Sequence, residues 1–270
     1  MESQSHDGEF LNTLARGLAV LRVFSGEHPK LTLSEVAKRT GISPAAARRC
    51  LHTLNELGYV RHQGKYFYLL PEVMSFASAF IESVNLDQLV RPHLQRLRDQ
   101  SGDSSSLVTL SGHDILYLIH VSTNRMVRLA AGMGTRFPAF ATSLGRAIVA
   151  FMPPTQRADW LASAELVALT AKTITDATEL EANFEQVRAL GYSAVADELD
   201  YGIVSIAMPI RNPHGKVIAA INCSASTARS SVEEHIEARL PLLRDAVAAI
   251  ESEVRRHPLL ADVLSTPASD

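Results

Sequence analysis

The pattern that most constrains this chain begins at Thr32 and predicts two short helices separated by a tight turn. Thr32 and Glu35 have capping-box spacing, in which each side chain accepts a hydrogen bond from the other residue's amide. Gly41 stands where the first helix has to end in a left-handed conformation. Ser43 then caps the second helix, and Pro44 occupies its first position, where no amide hydrogen is needed. Two helices joined in this way can place one of them in the major groove of DNA.

The helix pair has an apolar side and a basic side. Apolar residues at helical spacing predict a shared core, formed by Val36, Ala37, Ile42, Leu51, Leu54 and Leu57. From residue 36 to residue 65, six lysines and arginines stand against one glutamate, a local charge of six minus one, or +5, in a chain of net charge −3. A localised basic patch on an acidic protein predicts phosphate contact. The residues expected at DNA are Lys38, Ser43, Pro44, Ala46, Arg48, Arg49, His52, Arg61 and Lys65.

A hairpin follows the second helix. Residues 59–69 predict two strands with a tight turn at Gln63-Gly64. Helix–turn–helix spacing alone also occurs in structural helix pairs, and arginines on a helix are often ordinary surface charge. The hairpin favours a winged DNA-binding domain, because Arg61 and Lys65 flank its tip and can contact phosphates. The two arginines of the second helix are then the candidates for guanine or phosphate contacts.

The length of 270 residues is enough for two domains. We predict a winged helix–turn–helix domain over residues 10–70, a linker helix over 72–85, a second domain over 86–258 and a disordered tail over 259–270. The linker helix carries an apolar stripe, which we expect to pack against a partner subunit, with a core position as the alternative. The stripe consists of Val73, Phe76, Ala77, Phe80 and Val84.

The second domain is predicted as α+β. Its strand-like runs are Ser106–Leu110, Ile115–Val121, Val127–Ala131, Tyr192–Val195, Ile203–Ile210 and Val217–Ser224. Helices are predicted from Ser143 to Phe151, from Asp176 or Thr178 to Gly191, and from Val232 to Arg256. Hairpins on one antiparallel sheet with helices on its face fit this order, which lacks the regular βαβ units of a nucleotide-binding sheet.

Composition predicts a cytoplasmic protein. The first eight residues are polar, and no run of about 18 apolar residues is present, so neither a signal segment nor a membrane span is expected. Cys50 and Cys223 fall in different predicted domains, which makes a disulfide framework unexpected and favours a reducing compartment.

Catalytic motifs are absent from the sequence. There is no dinucleotide-binding, P-loop, nucleophile-elbow or zincin pattern. Asp197, Glu198 and Asp200 form the one acidic group that could perform acid–base chemistry, and no nucleophile is placed with it. His113 and His120 have no third ligand at metal-binding spacing. We therefore expect no enzyme activity, metal or cofactor, and an enzyme acting on a small acid is the alternative.

A ligand site is better supported. Ser143, at the start of a helix, offers unpaired amides that suit an anion. Arg128 and Arg136 precede it and could pair with a carboxylate. Asn222 and Ser224 share one strand face, and Ser205 lies on the neighbouring predicted strand; such polar groups orient a small ligand. The alternative is that Ser143 only caps its helix and that both arginines are surface residues.

The chain resembles the IclR-type transcriptional regulators over residues 14–258. The resemblance rests on the winged helix–turn–helix with its Gly-Tyr-Val ending and on the motifs Gly134–Pro138, Ala141–Ala147, Asp197–Ile210 and Ala219–Ser224. Residues 47–54 and 14–21 are similar to the branch that regulates protocatechuate, 4-hydroxybenzoate and β-ketoadipate catabolism. The resemblance implies a GAF-like C-terminal domain and a homodimer or a tetramer built as a dimer of dimers.

By this resemblance the expected partners are a double-stranded DNA operator, a small carboxylate effector and RNA polymerase. The effector-facing positions carried over by motif are the backbone of Ser143 and Leu144 and the side chains of Asp197, Ser205, Asn222 and Ser224. Ser205 stands where many members have cysteine, and Asn222 where many have serine. These departures leave the effector open, and a regulator of an unrelated catabolic operon is the alternative. The sequence does not distinguish activator from repressor.

Overall fold

The computed structural model describes residues 10–123 and 131–265. The chain divides between Ser83 and Val84 into two compact units, called here unit 1 and unit 2. The predicted strand at residues 127–131 lies outside the described residues except for its last position. Within the described part, no helix is both long enough and apolar enough to cross a membrane.

Unit 1 contains four helices and a small antiparallel sheet of order β1-β3-β2 among the described residues. Its elements are α1 (Asn12–Arg22), β1 (Leu31–Thr32), α2 (Leu33–Thr40), α3 (Pro44–Glu56), β2 (Val60–Gln63), β3 (Tyr66–Leu69) and α4 (Met74–Val84). The predicted helix pair is α2 and α3, and the predicted hairpin is β2 and β3. The two-residue strand β1 has no periodic pattern that sequence reasoning could detect.

Local signals form this helix pair as predicted. The Thr32 amide donates to Glu35 Oε2 at 2.7 Å, which closes the capping box, and Gly41 ends α2 with a φ of 68°. The buried core contains most of the predicted residues, together with Val20 and Leu31. Leu57 was wrongly placed in this core: it is 60% exposed, because α3 ends at the preceding residue and turns it to solvent.

The linker prediction corresponds to α4, which a short 3₁₀ turn precedes. Its apolar residues do not share one environment. Phe76 is 61% exposed, although one face of its ring stacks on Tyr59 with the centroids 5.5 Å apart, whereas Val84 is buried. Packing of the exposed part against a partner subunit remains a prediction.

Unit 2 is built on one six-stranded antiparallel sheet of order β6-β5-β4-β9-β8-β7. The strands are β4 (Ser104–Ser111), β5 (Asp114–Val121), β6 (Arg136–Pro138), β7 (Ser193–Ala196), β8 (Ile203–Arg211) and β9 (Val217–Ser226). The helices are α5 (Leu86–Leu89), α6 (Arg91–Ser101), α7 (Ser143–Val149), α8 (Pro154–Ser163), α9 (Ala177–Leu190), α10 (Val232–Arg256) and α11 (Pro258–Leu264). The α+β prediction, an antiparallel sheet flanked by helices, is confirmed.

The two faces of this sheet carry different helices. On one face, Leu144 of α7 joins Val108 and Ala220 of the sheet in a single apolar cluster. On the other face, Ser105 Oγ donates to the Leu94 carbonyl of α6 at 2.8 Å, and α10 packs beside α6. Because side chains alternate across a strand, the even-numbered residues of β9 face α7.

The prediction of a disordered tail over residues 259–270 is wrong for its first part. Residues Pro258–Leu264 form α11, and Leu260 and Leu264 are each about 1% exposed. Thr109 Oγ1 also donates to the Leu264 carbonyl at 3.3 Å. The cause is the spacing of the two leucines, which puts both on the helix face that packs on the core.

Candidate functional site

The candidate DNA surface lies on α3 and the hairpin of unit 1. Ser43 caps α3 by accepting from the Ala46 amide at 3.3 Å. Eight of the nine residues that the sequence assigned to DNA are exposed: Lys38, Ser43, Pro44, Arg48, Arg49, His52, Arg61 and Lys65. Ala46 is the exception and its assignment is corrected, because the residue is only 6% exposed and offers little surface to DNA.

Arg48 and Arg49 are available for a partner outside the chain. Neither guanidinium has a hydrogen bond or an ion pair with any residue that the structure describes. Arg39 differs, because its Nη2 lies 2.8 Å from the imidazole Nε2 of His28. Uncommitted arginines on an exposed helix face are well suited to bind bases or phosphates.

The hairpin brings the predicted Lys65 together with Lys30, a cationic residue that sequence reasoning missed. The ammonium groups of Lys30 and Lys65 lie 5.0 and 5.3 Å from the ring centroid of Tyr66. The hairpin is fixed to α3 because the His62 amide donates to Asn55 Oδ1 at 3.0 Å. Lys30 could not be found from the sequence, since it reaches the hairpin only through the pairing of β1 with β3.

The candidate ligand site is a cavity of about 30 Å³ between α7 and the sheet of unit 2. Five of the predicted effector positions line it: Ser143, Leu144, Ser205, Asn222 and Ser224. Sequence reasoning missed the other lining residues, which are Tyr117, Ala141, Thr142, Val195, Glu198, Leu199 and Ile203. The structure thus brings together residues that are up to 107 positions apart, from Tyr117 to Ser224.

A hydrogen-bonded polar group forms one wall of this cavity. Ser143 Oγ donates to Ser205 Oγ at 2.8 Å, and Asn222 Nδ2 donates to the same oxygen at 2.9 Å. Ser205 is paired in register with Ser224 on β9, which places all of these side chains on the face toward α7. Asn222 is 4% exposed, and its Oδ1 has no partner in the described part of the chain.

The assignment of Ser143 as a helix cap is corrected. Thr142 is the N-cap of α7, and its hydroxyl accepts from the Gly145 amide at 3.0 Å. Thr142 has the extended backbone of a cap, whereas Ser143 is already helical. The Ser143 hydroxyl is therefore free to bond across to the sheet.

A buried ion pair closes one side of the cavity. Arg146 Nη1 donates to Glu198 Oε1 at 2.9 Å, and Arg146 Nε donates to the Phe140 carbonyl at 2.7 Å. The second oxygen of Glu198 also accepts from the Ile174 amide at 3.0 Å. The charge of Glu198 is thereby compensated inside the protein, and no acid–base role is left for it.

Asp197 does not line the cavity, contrary to its assignment by motif. Its carboxylate accepts from Lys172 Nζ and from the Gly202 amide, each at 2.7 Å. The Lys172 ammonium, with the Gly202 amide, holds the pKa of the Asp197 carboxyl below its ordinary value. The backbone explains the difference, because Asp197 takes a left-handed φ of 60° at the end of β7, turning its side chain into the loop.

The two predicted arginine partners are not found at the cavity. Arg136 lies on the edge strand β6, where its Nη2 donates to Ser111 Oγ at 3.0 Å and its side chain is 44% exposed. The assignment of Arg136 to the effector site is corrected, because β6 places its side chain at the edge of the sheet. Arg128 lies outside the described residues, so its role remains an expectation.

Tyr117 is the most informative residue that sequence reasoning missed. Its side chain is 4% exposed, and burial raises the pKa of its phenol, so the hydroxyl is a neutral donor. The ring packs edge-on against Phe137 with centroids 5.6 Å apart. A register shift between Leu107 and Val108 puts Tyr117 opposite Val108, on the α7 face. No local sequence signal marks this shift.

A second, larger groove of about 1000 Å³ lies elsewhere on unit 2. It runs past Trp160, the turn at Gly112 and the turn at Gly215. None of the predicted effector residues lines it, so the smaller cavity is the better candidate. No three His, Cys, Asp or Glu side chains are grouped to hold a metal ion anywhere in residues 10–123 and 131–265.

Two family descriptions match the chain, in the order of its two units. "IclR helix-turn-helix domain" matches residues 13–64, and "Bacterial transcriptional regulator IclR C-terminal" matches residues 78–252. The first range contains α3 and the first strand of the hairpin and ends one residue before Lys65, and the second contains all residues that line the ligand cavity.

Similar proteins and structures extend over most of the chain. The Pca regulon regulatory protein of Pseudomonas putida is 40% identical over 238 residues, 88% of this chain and 82% of that protein. The p-hydroxybenzoate hydroxylase transcriptional activator of Acinetobacter baylyi is 33% identical over 251 residues, 91% of this chain and 93% of that protein. The crystal structure of an IclR homologue from Microbacterium hydrocarbonoxydans, complexed with 4-hydroxybenzoate, has a TM-score of 0.74 and 25% identity, covering 90% of this chain and 99% of that one.

Proposed function

This chain belongs to the IclR family of bacterial transcriptional regulators, and from that membership we propose that it controls genes of aromatic-acid catabolism in response to a small aromatic acid or a ring-cleavage dicarboxylate. The observation that carries the proposal is the cavity beside Ser143, Ser205 and Asn222, within a chain that is 40% identical to a Pca regulon regulator. The family consists of DNA-binding regulators rather than enzymes.

The DNA-binding half of the proposal assigns α3 to the major groove. Arg48 and Arg49 would contact guanine edges or phosphates there, and Lys38, Arg61 and Lys65 would contact the flanking phosphates. Their exposure and the local charge of six minus one over residues 36–65 support this role. In a homodimer, or a tetramer made from two dimers, paired recognition helices would meet half-sites about 34 Å apart.

The effector half of the proposal assigns the small molecule to the cavity of unit 2. The hydroxyls of Tyr117 and Ser224 and the amides of Ser143 and Leu144 would bind its polar groups, with Leu199 and Ile203 against its apolar part. A cavity of about 30 Å³ has room for roughly one water molecule, so a ring must widen it on binding. Such widening gives the ligand a means to favour one conformation, which a regulator requires. RNA polymerase is the proposed downstream partner.

A gel shift with promoter DNA from beside this gene tests the DNA-binding half. At one fixed salt concentration, Arg49→Ala should abolish specific binding while the ligand-binding unit stays folded. Arg244→Ala is the matched control, since it removes an exposed arginine from α10 and should leave affinity unchanged. Wild-type affinity in Arg49→Ala would reject the assignment of α3.

Calorimetry with protocatechuate, 4-hydroxybenzoate and β-ketoadipate tests the effector half. Heat of binding from at least one of them is expected, followed by a change in operator affinity or promoter opening. Absence of heat from all three, with DNA binding intact, would favour a regulator of an unrelated catabolic operon.

A further inference from the structure

The Asn222 side chain is held in one orientation inside the ligand cavity. Its Nδ2 donates to Ser205 Oγ, which also accepts from Ser143 Oγ, so β9, β8 and α7 all contribute to the position of the amide. Its Oδ1 is buried and has no hydrogen-bond partner among the described residues. A buried acceptor without a donor is costly, and it therefore marks a place where a donor is expected.

The neighbouring side chains do not supply that donor. Ser106 is the residue opposite Asn222 on β4, but its hydroxyl lies 3.0 Å from His120 Nδ1 and is engaged there. Burial lowers the pKa of His120, which keeps its imidazole neutral and able to accept from Ser106. Asn222 Oδ1 is the one side-chain oxygen without a described hydrogen-bond partner in this polar row, which consists of His120, Ser106, Asn222, Ser205 and Ser143.

Charge at the cavity decides which part of an acid can approach Asn222. Glu198 is the one charged side chain among the cavity-lining residues described, and Arg146 neutralises it. No described lysine or arginine lines the cavity with a free charge. A carboxylate placed against the Asn222 carbonyl would meet a like partial charge without a cation to offset it. A hydroxyl in the same place would donate to it.

We propose that Asn222 is a specificity-determining residue, whose Oδ1 accepts a hydrogen bond from a hydroxyl group on the effector. The effector hydroxyl then lies at the polar row. Its carboxylate lies toward the hydroxyl of Tyr117 or that of Ser224, neither of which has a hydrogen-bond partner among the described residues. This inference rests on the proposed function, because it assumes an aromatic acid in this cavity. It selects a hydroxylated ring with one carboxylate over both benzoate and a dicarboxylate.

Calorimetry on the full chain with 4-hydroxybenzoate, 3-hydroxybenzoate and benzoate tests the proposal. The wild-type protein should bind one of the hydroxylated isomers about 10- to 100-fold more tightly than benzoate, since benzoate leaves the acceptor unpaired. Asn222→Leu should reduce this ratio to about threefold or less, because the acceptor is gone. Asn222→Asp keeps an acceptor of the same shape and should retain the preference for the hydroxylated ligand, even with weaker binding overall.

A matched control is available elsewhere in unit 2. Asn183 on α9 also has a buried Oδ1 without a partner in the described part of the chain, and it does not line the cavity. Asn183→Leu should leave the ratio of the affinities for the hydroxylated ligand and for benzoate unchanged. A ratio near one in the wild type, or an undiminished ratio in a folded Asn222→Leu, would overturn the role of Asn222 and leave the proposed function standing. Binding of none of the aromatic acids would overturn the role of Asn222. Absence of β-ketoadipate binding as well would overturn the proposed function.

Discussion

Arg146 on α7 and Glu198 after β7 form a bidentate ion pair whose side chains are only 1% and 10% exposed. The pair joins the helix on one side of the cavity to the loop on the other side. Because Glu198 also accepts from the Ile174 amide, it connects three segments of unit 2. The cavity therefore has a wall whose position depends on one buried charge pair.

Removing one partner of this pair should destabilise unit 2 strongly. Arg146→Met leaves the Glu198 carboxylate buried without its cation, and Glu198→Leu leaves the guanidinium without its anion. Each should cost about 3–5 kcal/mol, whereas the double variant Arg146→Met with Glu198→Leu should cost clearly less than the sum. Urea unfolding followed by the fluorescence of Trp160, the single tryptophan of the chain, reports on unit 2. If the free-energy costs of the two single variants added up in the double variant, the coupling between Arg146 and Glu198 would be contradicted.

The close approach of α7 to the preceding turn requires glycine at position 145. A Cβ there would collide with the backbone of Ala139, which cannot move aside as a flexible side chain would. Gly145→Ala should destabilise the protein by at least about 2 kcal/mol. Gly17→Ala is the matched control, because a Cβ at this α1 position meets nothing within 4 Å and should stabilise by up to about 1 kcal/mol. Thermal melts followed by circular dichroism measure both variants. A Gly145→Ala protein with the Tm of the wild type would refute the close contact between position 145 and Ala139.

The Lys172–Asp197 ion pair should stabilise the protein in a pH-dependent way. Because the pKa of Asp197 is lowered in the folded state, chiefly by Lys172, its contribution is present above the ordinary carboxyl pKa of 3.8. It is lost as the pH falls through the lower, folded-state value. Lys172→Met should therefore lower Tm at pH 7, and this difference should shrink as the pH is lowered below 3.8. Lys216→Met, which removes an exposed lysine whose side chain has no described partner, should show no such pH dependence. A Lys172→Met difference that stayed constant as the pH was lowered would point to lost packing instead.

Lys30 and Lys65 should each contribute to phosphate binding through the hairpin, given the proposed DNA contact. Each alanine variant should weaken operator and unrelated DNA alike and reduce the slope of log K against log salt by about 1. Filter binding at several salt concentrations measures this slope, with Lys216→Ala in unit 2 as the control. A loss confined to the operator would instead indicate base readout by these lysines.

Local signals in the sequence were sufficient for the helix pair and the hairpin of unit 1, though not for the two-residue strand β1. The capping box at Thr32, the left-handed Gly41 and the Ser43-Pro44 helix start act through neighbouring residues, so their geometry can be inferred without the fold. Periodicity likewise predicted the strands β4, β5, β7, β8 and β9 and the helices α7, α9 and α10 of unit 2, whereas β6, α8 and α11 were not predicted. The exposure of Leu57 and the burial of Ala46 could not be predicted in this way, because the first depends on where α3 ends and the second on what packs around the first turn of α3.

The ligand cavity shows where local information ends. Ser205, Asn222 and Ser224 could be grouped from strand alternation, which has a fixed period of two. Three other assignments were wrong. Arg136 lies on an edge strand away from the cavity, and the left-handed backbone at Asp197 turns its side chain into a loop. The cap of α7 is Thr142 and not the neighbouring Ser143.

The sequence by itself determined that this chain has a winged helix–turn–helix followed by an α+β domain, because caps, turns and apolar periods are written in adjacent residues. Only the tertiary structure decided what lines the cavity. The register shift opposite Leu107 and Val108 brings Tyr117 to the face of Asn222, and Glu198 reaches Arg146 across 52 residues of chain. Such contacts depend on strand pairing and packing between distant segments, for which no local pattern exists.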